Sequence, residues 1–266
     1  MDIHSVKLIY FSPTHTTEKV LEGIARGIGV DVVERLDLTP PGAKTQVFEE
    51  LHDGLAIMGA PVYGGRIPPE AVRRLRRIVA HGTPAVVVAV YGNRAYEDAL
   101  LELRDLAEDL GFRPLAGGAF IGEHSYHTAA TPIATGRPDE QDLARAEAFG
   151  ISIRAKMSGK RTLDEMPPLQ VPGNIPYKVW KAPPENTPIT DKGLCTLCGL
   201  CVAACPTAAI AVEETVTTDK SACILCSACV KACPTGAREW EWAQIAKWRK
   251  WLSIEHSKRK EPEVHL

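Results

Sequence analysis

All eight cysteines of this 266-residue chain lie between Cys195 and Cys233, and they fall there twice in one pattern. Cys195, Cys198, Cys201 and Cys205-Pro206 form a C-x2-C-x2-C-x3-C-P run, and Cys223, Cys226, Cys229 and Cys233-Pro234 repeat it 28 residues later. The repeat extends past the cysteines: Thr190-Asp191-Lys192 recurs as Thr218-Asp219-Lys220, and Thr207 as Thr235. Three thiols at i, i+3 and i+6 sit on one tight loop and can meet three corners of an iron–sulfur cubane. The fourth starts a helix leading away, with a proline fixing φ behind it, and so reaches the cubane of the other half. The spacing predicts two [4Fe–4S] clusters, one on Cys195, Cys198, Cys201 and Cys233, the other on Cys223, Cys226, Cys229 and Cys205. Zinc and disulfides are the competing uses. Zinc sites pair C-x2-C knuckles across a longer gap and take four ligands each, and C-x2-C spacing suits several independent disulfides poorly.

The run resembles the bacterial two-cluster ferredoxins over residues 190–238, with every ligand position filled. That resemblance implies a small α+β ferredoxin domain.

The remainder is long enough for a second domain with a sizeable core. A net charge of −2, with 45% apolar and 24% charged residues, gives no sign of a nucleic-acid partner or an anionic membrane surface. The longest apolar run, Ala85 to Tyr91, is too short to span a bilayer, and the N-terminus lacks signal-peptide features. With every cysteine committed to metal, a cytoplasmic location is expected.

Residues 1–158 alternate between strand and helix patterns. Strands are expected at 6–11, 31–36, 54–60, 83–91 and 114–121, and helices at 16–28, 70–81, 95–110 and 139–157, with Asp139 capping the last. Arg73, Arg74, Arg76 and Arg77 are expected outward on the second helix, as a solvated face. Such alternation with apolar strands predicts a doubly wound, five-stranded parallel sheet, which binds ligands at the C-terminal strand ends. The loops at 12–17, 61–69, 92–96 and 122–137 all follow strands and converge there. Ser12, Thr14, Thr16 and Thr17 lie between a strand and a helix N-terminus, where free N–H groups and the helix dipole favour a phosphate. Simple N-capping requires one hydroxyl, not four.

The first three of these loops resemble those of the flavodoxins. Ser12-Pro13-Thr14-His15-Thr16-Thr17 is similar to the family's FMN-phosphate loop, with His15 where the family commonly has glycine. Its N–H is expected still to donate, and its imidazole to face the phosphate. Pro61, Val62, Tyr63, Gly64 and Gly65, and Tyr91, Gly92, Asn93, Arg94 and Tyr96, stand where the family grips the isoalloxazine, with Tyr63 or Tyr96 expected to stack on it or to serve as loop anchors. The combination looks like the flavodoxin–ferredoxin fusion proteins of anaerobic bacteria and archaea. It implies FMN, two [4Fe–4S] clusters and a redox partner, a ferredoxin or another oxidoreductase. No G-x-G-x-x-G follows a strand, so no dedicated NAD(P)H site is expected.

The loop Glu123-His124-Ser125-Tyr126-His127 has two readings. His124 or His127 could deliver a proton to a small-molecule acceptor at the flavin, making the protein a reductase; or the loop bonds to itself and to the ferredoxin domain, leaving a pure carrier or a subunit of a larger redox complex. Arg137 could pair with a carboxylate or phosphate. Residues 159–189 read as a stiff, proline-rich connector that packs across a surface. Residues 239–253 read as a helix docking Trp240, Trp248, Trp251 and Leu252 on the body, with a frayed charged tail from 254 to 266.

Overall fold

Continuous apolar runs and amphipathic segments alternate through the first 158 residues, and the computed structural model, which describes residues 1–181 and 185–266, turns them into a three-layer sandwich. Pro183 and Pro184 of the connector lie outside the described residues. Strands β1 (Ser5–Tyr10), β2 (Val32–Asp37), β3 (Leu55–Pro61), β4 (Thr83–Tyr91) and β5 (Phe112–Ile121) are interleaved with helices α1 (Thr16–Ile28), α2 (Pro69–Leu75), α3 (Ala99–Asp109) and α4 (Glu140–Met157). The five strands pair in parallel in the order 2-1-3-4-5. This is the flavodoxin-like order, whose switch point lies between β1 and β3. One apolar layer lies under α1 and α4, the other under α2 and α3. Gly150 is required where α1 meets α4, because a Cβ there would lie 2.9 Å from Gly27 Cα and from Ile28 N.

Several expectations need correction. The helix expected over 70–81 ends at Leu75. Beyond it the backbone pairs with neighbouring loops: Leu51 N–H donates to Val79 O at 2.9 Å and Ala80 N–H to Leu110 O at 2.8 Å. Arg74 does not face outward. It is buried, its Nε donates to Glu70 Oε1 at 2.9 Å, and its guanidinium also reaches the carbonyls of Leu38, Thr39, Pro40 and Pro206. Four acceptors and a carboxylate repay the cost of burying the charge.

The helix expected from residue 95 begins at Ala99, because Glu97 is left-handed (φ 46°) and interrupts it just before the N-cap Asp98, whose side chain serves the connector. Its carboxylate accepts from the N–H of Asn174 at 2.9 Å and of Lys178 at 2.6 Å. The connector lies along this flank, with Leu169 buried in the core and Tyr177 donating to Asp105.

The tail is not frayed. Strand β6 (Ile189–Thr190), helix α5 (Leu200–Ala203), strands β7 (Ile210–Val212) and β8 (Val216–Thr218), helix α6 (Ala228–Lys231) and strand β9 (Arg238–Glu239) build the cysteine-bearing unit. Helix α7 (Ala243–Glu255) then returns the chain to the sheet. Strand β10 (Glu263–His265) pairs antiparallel with β5, so the sheet has six strands. The carbonyls of His256 and Lys258 accept from Asn93 Nδ2 at 2.7 and 2.8 Å, and Glu263 accepts from the Tyr96 hydroxyl at 2.6 Å.

Candidate functional site

The cysteines separate into two cavities. One is lined by Cys195, Cys198, Cys201 and Cys233, the other by Cys205, Cys223, Cys226 and Cys229. Among the described residues no carboxylate or imidazole lines either, so the donor set in each is four thiols, the chemistry that suits an iron–sulfur cubane. Residues of positive φ shape the ligand loops: Leu197 and Leu225 at 56°, Gly199 at 77° and Ser227 at 61°. Burial pushes the thiols of Cys201, Cys223, Cys226 and Cys229 up, so ligation has to displace their protons.

The two halves differ in cover. Leu225 is 7% exposed and its repeat counterpart Leu197 is 44% exposed. The cover on the second half is the flavodoxin-like unit. Ile224 packs into the core beside Val62, and Leu225 joins Trp240 and Ile245 against Tyr126 and Trp248.

A cavity of about 520 Å³ opens at this junction. The strand-end loops contribute Val62, Tyr63, Gly64, Arg94, His124, Ser125 and Tyr126; the connector, Lys178 to Lys181; the cysteine unit, Ile224 and Leu225; and α7, Trp248, Trp251 and Leu252. A narrower cleft shares Val62, Tyr63, His124 and Ser125 with it and runs past Pro61, Tyr91, Gly92 and Gly122 to Thr14 and Thr16. The ring of Tyr126 lies 6.2 Å from that of Trp248, nearly parallel.

At the far end of the cleft the loop after β1 is built for an anion. Among the described residues the backbone N–H groups of Thr14, Thr16 and Thr17 have no protein acceptor, and the buried Thr17 Oγ1 has no partner. Ser12 Oγ accepts from Glu18 N–H at 3.2 Å, which keeps its own proton available. Buried hydroxyls are rarely left unpaired, so these groups fit a phosphate. His15 takes the left-handed conformation (φ 60°), which explains the similarity to a glycine position. Two expectations for it fail: its N–H is spent on Ser12 O at 3.1 Å, and its exposed imidazole turns to Glu18 at 3.0 Å instead of to the loop.

Asn93, Tyr96 and Gly65 line neither cavity. Asn93 and Tyr96 hold the tail, and a Cβ on Gly65 would strike Glu97. Arg137 pairs with Asp142 in the interior, with Nε 2.7 Å from Oδ2. His127 is a loop anchor, its Nδ1 accepting from Ile133 N–H at 3.2 Å, and Glu123 ties the same loop to Lys231 of the cysteine unit.

His124 faces both cavities. Its Nδ1 accepts from Tyr126 N–H at 3.0 Å, which leaves the ring proton on Nε2. Burial, with the positive charges of Lys231 and Arg94, pushes its pKa down to about 4. The ring is therefore neutral at physiological pH, a hydrogen-bond donor and not an acid titrating near 7. Between its ordinary 6.5 and about 4 the unfolded chain takes up a proton that the folded chain refuses. Stability is thus expected to fall as pH falls through that window, by up to about 3 kcal/mol, and His124→Gln to flatten the slope in denaturation at pH 7 and pH 5.

Residues 194–237 match the family model of the 4Fe-4S dicluster domain. The match covers both cysteine runs. The chain is 31% identical over 118 residues to diflavin flavoprotein A 2 of Thermosynechococcus vestitus, an overlap of 41% of this chain and 20% of that protein. The chain thus spans about a fifth of the length of this curated relative. Similar solved structures include a flavodoxin from the domain Archaea (14% identity, TM-score 0.37, covering 57% of this chain and 97% of that one) and a metal-soaked flavodiiron core from Synechocystis (21% identity, TM-score 0.41, 59% and 36%). The fold rests on the strand order, not on these likenesses. Among the described residues no helix is long and apolar enough to cross a membrane.

Proposed function

We propose that the chain is an iron–sulfur flavoprotein that exchanges electrons between a protein redox partner, two [4Fe–4S] clusters and FMN. The observation that carries this reading is the shared wall. Ile224 and Leu225, inside the ligand run Cys223–Cys226, line the same cavity as the strand-end loops of the flavodoxin-like unit. Cys195, Cys198, Cys201 and Cys233 hold the outer cluster, and Cys205, Cys223, Cys226 and Cys229 the inner one. Ser12, Thr14, Thr16 and Thr17 bind the phosphate, Tyr63, Tyr126 and Trp248 flank the ring, and His124 offers its Nε2–H. Bound flavin supplies the link between one- and two-electron chemistry, and the clusters supply one-electron chemistry. Ile224, Leu225 and the aromatic walls keep water from the junction. The exposed Leu197 loop supports the outer cluster as the face a ferredoxin or oxidoreductase meets.

Anaerobic purification with iron, sulfide and flavin analysis tests this; about eight irons and one FMN per chain are expected. Thr17→Val removes a hydrogen bond to a charged group, so FMN affinity should fall about tenfold to a hundredfold with iron content unchanged. A full complement of iron without flavin would overturn the reading of residues 12–17.

A second reading is favoured by the extension of the cavity beyond the three loops, to the connector and Trp251. That space suits a small-molecule acceptor beside His124, which would make the chain a reductase. Rapid reoxidation by a small acceptor, lost in His124→Ala, separates this from a carrier that only protein partners reoxidise.

A further inference from the structure

One buried cation in the cysteine unit has no anion. Arg238 is 3% exposed, and among the described residues its partners are two hydroxyls and a thiol: Nη1 donates to Thr190 Oγ1 at 2.7 Å, and Nη2 to Thr218 Oγ1 at 3.0 Å and to Cys229 Sγ at 3.6 Å. Its Nε is buried and unpartnered. A guanidinium keeps its charge, and a buried charge without an opposite one is among the costliest features a fold can hold.

The repeat shows where this charge stands. Thr190 and Thr218 are the same residue of the two halves, so Arg238 is gripped equivalently from both sides, at the centre of the internal symmetry. Its own counterpart, 28 residues earlier, is Ile210, which lines the inner cavity as Arg238 lines the outer one. One cation therefore serves two metal sites. It walls the outer cavity and reaches a ligand of the inner one.

We propose that Arg238 is the built-in counter-cation of both clusters and sets their reduction potentials. The inference rests on the cluster reading above. Four thiolates outweigh the positive charge of a cubane core, so each loaded site is a net anion, and more so after accepting an electron. A fixed cation, with a hydrogen bond to a ligand sulfur, favours the reduced form and raises the potential of both clusters.

The test is a redox titration of the loaded protein followed by electron paramagnetic resonance, on the parent and on Arg238→Met, Arg238→Gln and Arg238→Lys, with iron and sulfide measured on each. In both neutral variants each cluster is expected to become harder to reduce by at least about tenfold in equilibrium constant, about 59 mV for one electron, while Lys keeps the parent values within about threefold. Fully loaded neutral variants within about twofold of the parent would overturn the proposal, as would a shift in Lys as large as that in Met. Should both neutral variants fail to load, loading of the Lys variant at parent potentials supports it, and failure of all three overturns it, since shape and not charge is then required. A parent without eight irons overturns the cluster reading itself, and is recognised before any potential is measured.

Discussion

A Cys226→Ser chain is expected to carry about four irons where the parent carries about eight, and to lose flavin reduction by a one-electron protein donor. Cys226 is 8% exposed, lies on the inner cavity, and belongs to the loop that abuts Tyr63 and Tyr126. Serine is a poor substitute for a thiolate, and the inner site has no spare cysteine, since all eight are divided between the two cavities. Cys198→Ser should also remove about four irons, but from the exposed outer site, leaving intact the site next to the flavin cavity. Photochemical reduction of the flavin should therefore survive in both variants, while reduction through the protein should fail in both. Eight irons in Cys226→Ser would sink the ligand assignment.

Asp142→Ala is expected to cost about 3–5 kcal/mol of stability. Arg137 and Asp142 form an ion pair whose side chains are 5% and 0% exposed, and removing the carboxylate strands the guanidinium in the interior. The damage should spread. Asp142 also accepts from Asp139 N–H at 3.0 Å within the capping box of α4, Arg137 O accepts from Glu123 N–H at 2.6 Å, and Arg137 Nη1 donates to Lys260 O at 2.7 Å. One residue thus ties α4, the loop after β5 and the tail together. Denaturant midpoints at constant slope measure the loss, and a cost below about 1 kcal/mol would show that the pair contributes little.

Much of this architecture is written in short-range patterns. The apolar run ending at Tyr91 and the periodicity of residues 16–28 match β4 and α1 to the residue, because both elements are nearly or wholly buried on the face the pattern marks. The division of the cysteines between two cavities follows from spacing alone. Where reading failed, long-range pairing decided. Arg74 looks like its neighbours on a basic helix, and the distant acceptors of residues 38–40 and 206, with Glu70 one turn away, draw it inside. Tyr96 looks like a ring waiting for a flavin, but its hydroxyl is taken by Glu263, far along the chain. A three-residue edge strand, Glu-Val-His, carries no periodicity to read. The walls that α7 lends to the cavity were half visible. Trp248 and Trp251 stood out as a docking stripe, yet nothing local says that the surface they dock on is hollow.

The pairing of β10 with β5 changes what counts as a module in this molecule. The iron–sulfur segment is not appended to the flavodoxin-like unit. It is enclosed by it, since the strand that completes the sheet lies downstream of the last cysteine. Severing the chain at the connector would strip the sheet of its own margin, bare the β5 edge and release the clamp on Asn93 and Tyr96. The two units are thus tied together by the chain's own tail. Homologous exchange of the iron–sulfur segment between such proteins would have to replace an insert at both of its seams, not a tail at one.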